Sequence, residues 1–493
     1  METQDILDGM RGWIETVGLV PPDYEQYAPL VIDGLLHFLS RLPATRLEAI
    51  VAAQLELPES AEADERLIGL LRQCPTLHKL GQVIARQAGL PLDLRARLQG
   101  LESLAPAPGS YDIDAIVAAE IGVIEGLTVA PDALAEGSVA FVVPFELRSA
   151  ADGSIRRGVF KALKPEASAR LLEDLAIWPE LGEYLTARSA EVGLAAVDFR
   201  SLLEGVANLL RNEIQLDGEQ ERLRRARRFY ADEPSVIVPE LFAFCTPRLT
   251  AMERVDGVKV TDPSLPVDLR RRLARTIVAA LLAKPFWSTP AGEPFFHADP
   301  HAGNLFATPD GKLAIFDWAL TTHLNSDQCS AVVQTLVCAA VLDEPGVAAQ
   351  LAALGDIKAP ATVAAGIAAA VAGVRRGAFP GFAWLTALLD RLGRDGAIVF
   401  PEETALFRKS LLTLSGVVRD VWPYASVDEV LLASGGRRFV AESWSRPLAP
   451  FGSRAFATHV SNSDLVRLMT SLTWTPTRYL LGTYRDALEV LTR

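Results

Sequence analysis

The sequence predicts an α+β fold in which strands and helices occupy separate stretches of the chain. Alternating apolar runs bounded by turn residues are concentrated at residues 137–165 and 235–257. Most of the remaining sequence repeats apolar residues at intervals of three and four, which is the helical period. Because strands follow one another instead of alternating with helices, the pattern does not predict a βαβ fold.

Composition limits the classes of protein to which the chain can belong. Its 493 residues suffice for about two to four domains, and an apolar fraction of 49% excludes a disordered chain. Lysine and arginine number 48 against 61 aspartates and glutamates, a net charge of −13. A net acidic chain is a poor general binder of nucleic acid, so we expect no nucleic-acid partner.

The spacing of the cysteines and the length of the apolar runs indicate the cellular compartment of the protein. Four cysteines are scattered without CxxC spacing: Cys74, Cys245, Cys329 and Cys338. This pattern favours a reducing compartment and disfavours a zinc framework. The acidic N-terminus lacks the apolar core of a secretory signal. Residues 359–374 are rich in alanine and glycine, and no run reaches the roughly 18 strongly apolar residues of a spanning helix. We therefore predict a packed helix there and a cytoplasmic protein.

The first third of the chain contains helices followed by strands. Residues 1 to about 105 predict helices, which end at the Pro- and Gly-containing stretch "APAPGSYD". Residues 137–149 and 154–165 predict two strands joined by a turn at "ADG".

Helices dominate the remainder. They are predicted from residue 166 to about 230 and again from about 264 to the end of the chain. Two further strands are predicted within 235–257, and a short β-hairpin interrupts the second helical region at residues 295–320.

One polar run stands out in this hairpin. The stretch "FFHADPHAGNLF", residues 295–306, contains Asp299 and Asn304, and Asp317 follows the apolar run "LAIF". A loop carboxylate can orient the hydroxyl or water that attacks a phosphate, while an amide oxygen and a second carboxylate are ligands that Mg²⁺ prefers. Asn304 and Asp317 could therefore converge on one ion.

A zinc site is the alternative for the same run. His297 and His301 are four residues apart, a spacing that suits a zinc pair on a helix. Pro300 lies between them and Gly303 follows, which disfavours a helix. We therefore expect the two histidines to shape the loop by hydrogen bonds.

The run "HADPHAGN" followed by "AIFDWA" resembles the catalytic and metal-binding loops of the UbiB (AarF) family of atypical, protein-kinase-like proteins. The family pattern is close to HADPHPGN followed by a strand and DFG, so eight consecutive positions match with one difference, Ala302. The resemblance implies Asp299 as the catalytic-loop aspartate and Asn304 and Asp317 as metal ligands. The sequence departs from DFG at Trp318 and Ala319, which changes the packing behind Asp317.

The resemblance extends upstream to the phosphate-holding lysine and its helix glutamate. "GVFKALKPE" resembles the family's VAVKVQRPG, which makes Lys161 the candidate rather than Lys164. In "NEIQLDGEQERLRRA" Glu219 is the implied partner of Lys161. Glu213 matches the first acid of a family ExD motif, and Gln215 replaces the second.

Two further family motifs bear on the nucleotide. "PDALAEGSVAF" resembles the alanine-rich loop that replaces the Gly-rich loop of ordinary kinases, with Ala133 and Ala135 in place of glycines. "LHKLGQVIARQAG" contains the KxGQ signature at Lys79, Gly81 and Gln82, which the resemblance implies packs over the active site and restrains phosphotransfer to proteins.

The strand "RLTAMERVDG" and the tail complete the comparison. Met252 would lie by the adenine, and the backbone from Glu253 to Val255 would bond its edge. The C-terminal tail alternates arginine with apolar residues. It predicts either an amphipathic helix on a membrane surface or a helix packed on the helical lobe, and we favour packing.

The resemblance therefore implies a protein-kinase-like bilobal fold with a small β-sheet N-lobe and a helical C-lobe. The predicted parts are a helical extension with the KxGQ motif, an N-lobe with a helical insertion, a C-lobe and a helical tail: 1–110, 111–255, 256–440 and 441–493. The expected cofactors are ATP and Mg²⁺, and the expected acceptor is a lipid or quinone precursor.

Three functions remain open at this stage. The first is a UbiB-type ATPase or kinase that supports quinone or isoprenoid-lipid metabolism. The second is a pseudokinase scaffold, which the DWA run and Gln215 favour. The third is a small-molecule phosphotransferase similar to the antibiotic kinases, with a pocket in the helical region 325–400.

Overall fold

A computed structural model describes residues 11–12, 22–58, 60–61, 63–77, 112–137, 139–192, 198–288 and 294–491. The chain forms two compact units. Unit 1 comprises Met1–Glu221 and Glu240–Arg254, and unit 2 comprises Arg222–Pro239 and Val255–Arg493. The four-part division of the chain stays a prediction.

Unit 1 begins with amphipathic helices, as the helical period predicts. They are α1 (Ala28–Ser40), α2 (Ala44–Leu55) and α3 (Ala63–Gln73). Their apolar faces share a core cluster with later helices of the same unit, in which Phe38, Ile50, Leu70 and Trp178 are buried. Burial of such apolar stripes is the main source of helix stability in a protein.

The chain then enters a sheet. The elements in order are α4 (Ile113–Ile121), β1 (Leu127–Val129), β2 (Ala135–Glu136), β3 (Ala140–Arg148) and β4 (Ile155–Leu163). The carboxylate of Asp112 caps α4 by accepting from the Ala115 N–H at 3.0 Å. Gly122, at φ 68°, ends the helix in a conformation that favours glycine.

Helices and two short strands follow. They are α5 (Ala167–Glu191), α6 (Phe199–Glu213), α7 (Leu216–Phe229), β5 (Val236–Ile237) and β6 (Leu249–Glu253). The sheet of unit 1, within the described residues, has five strands in the order β1-β3-β4-β6, with β2 paired to β3. The pairs are antiparallel. This confirms the two predicted strands at 137–165.

The next elements of unit 2 after β5 are short strands and two helices. They are β7 (Val258–Lys259), α8 (Val267–Val278), α9 (Lys284–Phe286), β8 (Phe296–His297), β9 (Leu305–Ala307), β10 (Leu313–Ile315) and β11 (Thr321–Thr322). A π-helical turn, Ala279–Ala283, joins α8 to α9.

Strand pairing in unit 2 differs from two sequence expectations. The hairpin predicted at residues 295–320 is only β9 with β10, whereas β8 pairs with β11. The two strands predicted within 235–257 lie in different sheets, because β5 pairs in parallel with β10 while β6 pairs with β4. Partner choice depends on packing between distant segments, which a local apolar pattern does not encode.

The rest of unit 2 is mainly helical, as predicted. The elements are α10 (Ser326–Ala340), α11 (Glu344–Leu351), β12 (Asp356–Ile357), α12 (Pro360–Arg375), α13 (Phe382–Arg394), β13 (Ile398–Val399), α14 (Glu402–Val421), α15 (Val427–Glu442) and α16 (Asn462–Leu491). The alanine-rich stretch at 359–374 forms α12, which buries Val363, Ile367 and Val371 as a packed helix does. Among the described residues, no helix combines the length and apolarity needed to cross a bilayer.

Candidate functional site

The candidate site of unit 1 is an ion pair between a strand and a helix. Lys161 lies on β4, opposite Val142 of β3 and Thr250 of β6. Its Nζ is 2.9 and 2.7 Å from the two carboxylate oxygens of Glu219 on α7. The two side chains are only 20% and 10% exposed, so solvent screens the pair less than it would a surface pair.

A second side chain of α7 fastens this helix to the sheet. The Nε2 of Gln220 donates to Oγ1 of Thr250 at 3.0 Å and to the Thr246 carbonyl at 2.8 Å. Gln220 is buried, and the sequence reasoning did not single it out. These bonds hold Gln220, the residue next to Glu219, against β6 and the residues just before it. Strand β6 pairs with β4, which carries Lys161.

The neighbouring lysine has a different partner. Lys164, just after β4, has its Nζ 2.6 Å from Oε1 of Glu136 on β2. Lys161 is therefore the lysine that pairs with a helix glutamate, as the resemblance implied. Lys164 pairs with a strand glutamate and can serve as its control.

The candidate site of unit 2 is built around Asp299, in the loop after β8. Its Oδ2 lies 3.3 Å from Nζ of Lys409 on α14. Its Oδ1 is buried and, among the described residues, has no hydrogen-bond partner. Such an atom is costly unless a ligand or water satisfies it. Lys409 was not singled out from the sequence, because helical periodicity does not reveal a contact with a loop 110 residues earlier.

Asn304 joins the two loops of unit 2. It ends the 3-10 turn Ala302–Asn304, and its Nδ2 donates to the Asp299 carbonyl at 3.3 Å. Its own main-chain carbonyl accepts from the Phe316 N–H at 2.9 Å. The bond from Nδ2 leaves the amide oxygen as the atom of Asn304 that can bind a cation.

Asp317 is exposed and has a left-handed backbone. Its φ is 53°, unusual for a residue other than glycine. Its Oδ1 accepts from the Ala319 N–H at 3.1 Å. Residues held in this region cluster at functional sites, where the surrounding structure enforces the conformation.

His297 bonds to both loops. Its Nδ1 accepts from the Asp299 N–H at 3.2 Å, and its Nε2 lies 3.1 Å from the Phe316 carbonyl, which can only accept. The ring is therefore neutral with its proton on Nε2. Burial holds the pKa of His297 below its ordinary value, although the bond to Phe316 and the nearby carboxylates act in the opposite direction.

The second histidine has a local role. Nδ1 of His301 accepts from the Gly303 N–H at 3.0 Å and caps the 3-10 turn. Both histidines engage main-chain groups, in agreement with the loop-shaping interpretation.

Trp318 replaces the phenylalanine of DFG and is fully buried. Its ring lies 4.8 Å from that of His297 between centroids, and 5.5 Å from that of Phe295. Its carbonyl accepts from Nε of Arg222 at 2.9 Å. The departure from DFG therefore fills the core behind Asp317 with a larger ring.

The predicted alanine-rich loop is more regular than expected. Ala133 packs against the core of the sheet, and Ala135 belongs to β2, where it pairs with Val142. The N–H groups of Leu134 and Gly137 already donate to Val142 and Ala140. These two amides are engaged in the sheet, and a nucleotide role for Ala133 and Ala135 stays a prediction.

The predicted adenine-binding segment lies only partly in a strand. Met252 and Glu253 belong to β6, and Val255 follows it. The N–H of Glu253 donates to the Glu240 carbonyl at 2.7 Å, and that of Arg254 to the Arg157 carbonyl at 3.1 Å. The N–H groups of Glu253 and Arg254 are therefore engaged with main-chain carbonyls, and contact of this segment with adenine stays a prediction.

Most of the remaining predicted residues lie outside the part of the chain that the structure describes. Lys79, Gly81 and Gln82 lie outside the described residues. Glu213 is the last residue of α6, and its side chain is also outside the described part, while Gln215 lies between α6 and α7.

Each unit thus brings together one set of predicted residues. Unit 1 pairs Lys161 with Glu219. In unit 2 the side-chain amide of Asn304 bonds the Asp299 carbonyl, and the Asn304 carbonyl bonds the N–H of Phe316, next to Asp317. In the second set, Asn304 and Asp317 offer amide and carboxylate oxygens, the donor types that a hard divalent cation prefers.

A strand lysine paired with a helix glutamate, in a chain that also carries this Asp–Asn–Asp loop set, defines the kinase-like class. Comparison with known proteins agrees, since the ABC1 atypical kinase-like domain matches residues 130–351. This match, over just under half of the chain, and relatives named UbiB and ACTIVITY OF BC1 COMPLEX KINASE support the UbiB/ABC1 family of atypical kinases.

Named relatives support this assignment. "Protein ACTIVITY OF BC1 COMPLEX KINASE 3, chloroplastic" from Arabidopsis thaliana is 26% identical over 268 residues, covering 53% of this chain and 36% of that protein. "Probable protein kinase UbiB" from Azotobacter vinelandii is 28% identical over 242 residues, covering 48% and 43%. The match thus spans about two fifths of the length of these relatives.

A solved structure is also similar. It is the complex of Rv3197 with erythromycin from Mycobacterium tuberculosis, with a TM-score of 0.48 and 16% identity over 64% of this chain and 80% of the other.

Proposed function

We propose that this protein binds ATP with Mg²⁺ and acts as an ATPase or small-molecule kinase of UbiB type. The observation that supports it most is the pairing of Lys161 with both carboxylate oxygens of Glu219. The pair holds an ammonium at a fixed place on a strand, where it can contact phosphate oxygens.

The residues of unit 2 have complementary roles in this proposal. Asp299 orients the attacking hydroxyl or water and accepts its proton, for which the buried Oδ1 is suited because no described residue bonds it. Asn304 and Asp317 hold the cation, and Lys409 offsets negative charge beside Asp299. Bound Mg²⁺ would neutralise charge that develops on the phosphate oxygens. His297 positions both loops through their main chains.

We further propose that the protein hydrolyses ATP or phosphorylates a small molecule, and does not act as a general protein kinase. The KxGQ residues Lys79, Gly81 and Gln82 and the alanines Ala133 and Ala135 support this through the family resemblance. By the same resemblance, Met252, Glu253 and Val255 flank the adenine, and Glu213 has a regulatory role.

The acceptor and setting complete the proposal. By resemblance the acceptor is a lipid or quinone precursor, and the protein supports quinone or isoprenoid-lipid metabolism. The four cysteines are free thiols, which supports a reducing, cytoplasmic compartment. By resemblance we also propose contact at a membrane surface.

A pseudokinase scaffold is the second candidate function. The fully buried Trp318 favours it, because its packing holds the Asp317 loop from behind. The third candidate, a phosphotransferase with a helical pocket, would be recognised by a screen of alcohol and amine acceptors.

Thermal unfolding with ATP, with and without Mg²⁺, tests the proposal. ATP at 100 times its dissociation constant should stabilise the protein by about 2.7 kcal/mol. We expect a Mg²⁺-dependent rise in Tm that Asp317→Asn abolishes and that Asp310→Asn, in the β9–β10 turn, retains. The absence of any shift with ATP, ADP or GTP would favour the scaffold.

A further inference from the structure

An arginine of α7 holds the main chain just after Asp317. Nε of Arg222 donates to the carbonyl of Trp318 at 2.9 Å, and both residues belong to unit 2. Trp318 is fully buried. A buried carbonyl that loses its hydrogen-bond partner is costly, so this bond fixes the path of the chain one residue after Asp317.

The same helix also supports the side chain of Trp318. The ring of Tyr230, the residue that follows α7, lies 5.9 Å from the ring of Trp318 between centroids. The helix itself is anchored in the core by the buried residues Leu223 and Ala226. Arg222 therefore acts from a packed helix, which holds a neighbouring group more precisely than a loop does.

The backbone of Asp317 is supported from both sides. Its φ of 53° is unfavourable for a residue with a Cβ, so the surrounding structure has to enforce it. On the side before Asp317, the Phe316 N–H donates to the Asn304 carbonyl at 2.9 Å. On the side after it, Arg222 binds the next carbonyl. The Ala319 N–H then orients the carboxylate by donating to Oδ1 of Asp317 at 3.1 Å.

We propose that Arg222 is a positioning residue that keeps Asp317 in the conformation that binds the divalent cation. The inference rests on the proposed function, in which Asp317 is a ligand of the cation. Without the bond from Arg222, the peptide after Asp317 can turn and the backbone can leave its left-handed conformation, so the carboxylate loses its fixed orientation. Replacement of a residue that orients a metal ligand typically costs about ten- to a hundredfold in metal affinity.

Two replacements of Arg222 separate its hydrogen bond from its charge. Arg222→Gln keeps an N–H donor at the same number of bonds from Cα as Nε of arginine, but it carries no charge. Arg222→Met keeps an unbranched side chain of similar length and has no donor. Arg222 is half-buried, and both replacements retain an apolar stem that can pack there, so both variants should fold.

Arg270 provides a matched control in the same unit. Its Nε also donates to a main-chain carbonyl at 2.9 Å, that of Val421 at the end of α14, and Arg270 is half-buried as well. Arg270→Met therefore removes a bond of the same kind while the bond of Arg222 to the Asp317 loop is kept. We expect a similar fall in Tm in Arg270→Met and Arg222→Met.

Hydrogen exchange of the nucleotide-free protein tests the hold of Arg222 on the loop. The peptide that contains the Ala319 N–H should exchange up to about tenfold faster in Arg222→Met than in the wild type, the factor that loss of one hydrogen bond gives. Arg222→Gln and Arg270→Met should leave the exchange of this peptide unchanged. Equal rates in Arg222→Met and the wild type would overturn the proposal, whether or not the protein binds ATP.

The requirement for the cation is the second measurement. With saturating ATP, the Mg²⁺ concentration at half of the rise in Tm should be about tenfold higher in Arg222→Met, and unchanged in Arg222→Gln and Arg270→Met. Equal increases in the two Arg222 variants, or an increase in Arg270→Met, would overturn the assignment to this hydrogen bond. A wild type without any Mg²⁺-dependent rise would overturn the cation-binding step through failure of the proposed function, and faster exchange in Arg222→Met would identify that cause.

Discussion

The ammonium of Lys409 lies 3.3 Å from Oδ2 of Asp299. This contact joins helix α14 to the loop of Asp299, while Oδ1 of the same carboxylate stays buried without a hydrogen-bond partner among the described residues. The Lys409 ammonium can orient Asp299 before the reaction and can stabilise negative charge on the phosphate oxygens during it.

Replacement of Lys409 should therefore affect turnover more than nucleotide binding. We expect Lys409→Met to lower kcat for phosphate release from ATP by about ten- to a hundredfold with KM for ATP nearly unchanged. Lys409→Arg should restore part of the loss, and Lys312→Met, which removes an ammonium paired with Asp310, should be neutral. An unchanged kcat in Lys409→Met would remove Lys409 from the mechanism.

The two lysines near the end of β4 provide a matched pair. Lys161 bonds Glu219 on a helix, and Lys164 bonds Glu136 on a strand, and both ammonium groups are largely buried. We expect Lys161→Met to abolish the rise in Tm caused by Mg-ATP, whereas Lys164→Met retains it, since only Lys161 is proposed to contact phosphate. The reverse result would assign the phosphate contact to Lys164.

A buried carboxylate should contribute strongly to the stability of unit 1. Asp174 is fully buried, and its two oxygens bond Arg46 at 3.0 Å and Thr76 Oγ1 at 2.9 Å. Asp174→Ala leaves a buried guanidinium without this partner and should lower the free energy of unfolding by about 3–5 kcal/mol.

The adjacent residue is the control for this change. Glu173 bonds the same arginine at 2.9 Å but is 44% exposed, so Glu173→Ala should cost less than about 1 kcal/mol. Urea denaturation followed by circular dichroism measures both values. Equal losses in the two variants would show that burial is not the cause.

His459 should make the protein less stable in mild acid. Its Nε2 lies 2.8 Å from the Phe286 carbonyl, and its Nδ1 is buried without a partner among the described residues. Burial lowers its pKa from the ordinary 6.5. Above pH 6.5 the histidine is neutral in both states and contributes nothing to the pH dependence.

Below pH 6.5 the unfolded state takes up a proton that the folded state resists. The free energy of unfolding should then fall by up to about 1.4 kcal/mol per pH unit until the folded pKa is reached. His459→Asn, which tolerates the positive φ of 57° at this position, should reduce this slope between pH 6.5 and 5. His323→Asn, at an exposed histidine, should leave it unchanged, and equal slopes in all three proteins would contradict the assignment.

The local sequence pattern by itself predicted two strands of the sheet and several residues of the candidate site. The alternation of apolar residues predicted β3 and β4 within a few residues, because inward and outward positions of a strand are set by its own period. The run at residues 295–306 and Asp317 predicted candidate oxygen ligands, because the chemistry of a ligand group is a property of the residue itself.

Only the tertiary structure decided which distant groups meet. The contact of Lys409 with Asp299, the parallel pairing of β5 with β10 and the exposure of one side of α16 each depend on how separate segments pack. A periodic sequence specifies which face of an element is apolar, but the neighbour that covers this face is chosen by the shape and charge of the whole fold. For that reason the sequence indicated the residues of the candidate site, and packing determined their partners.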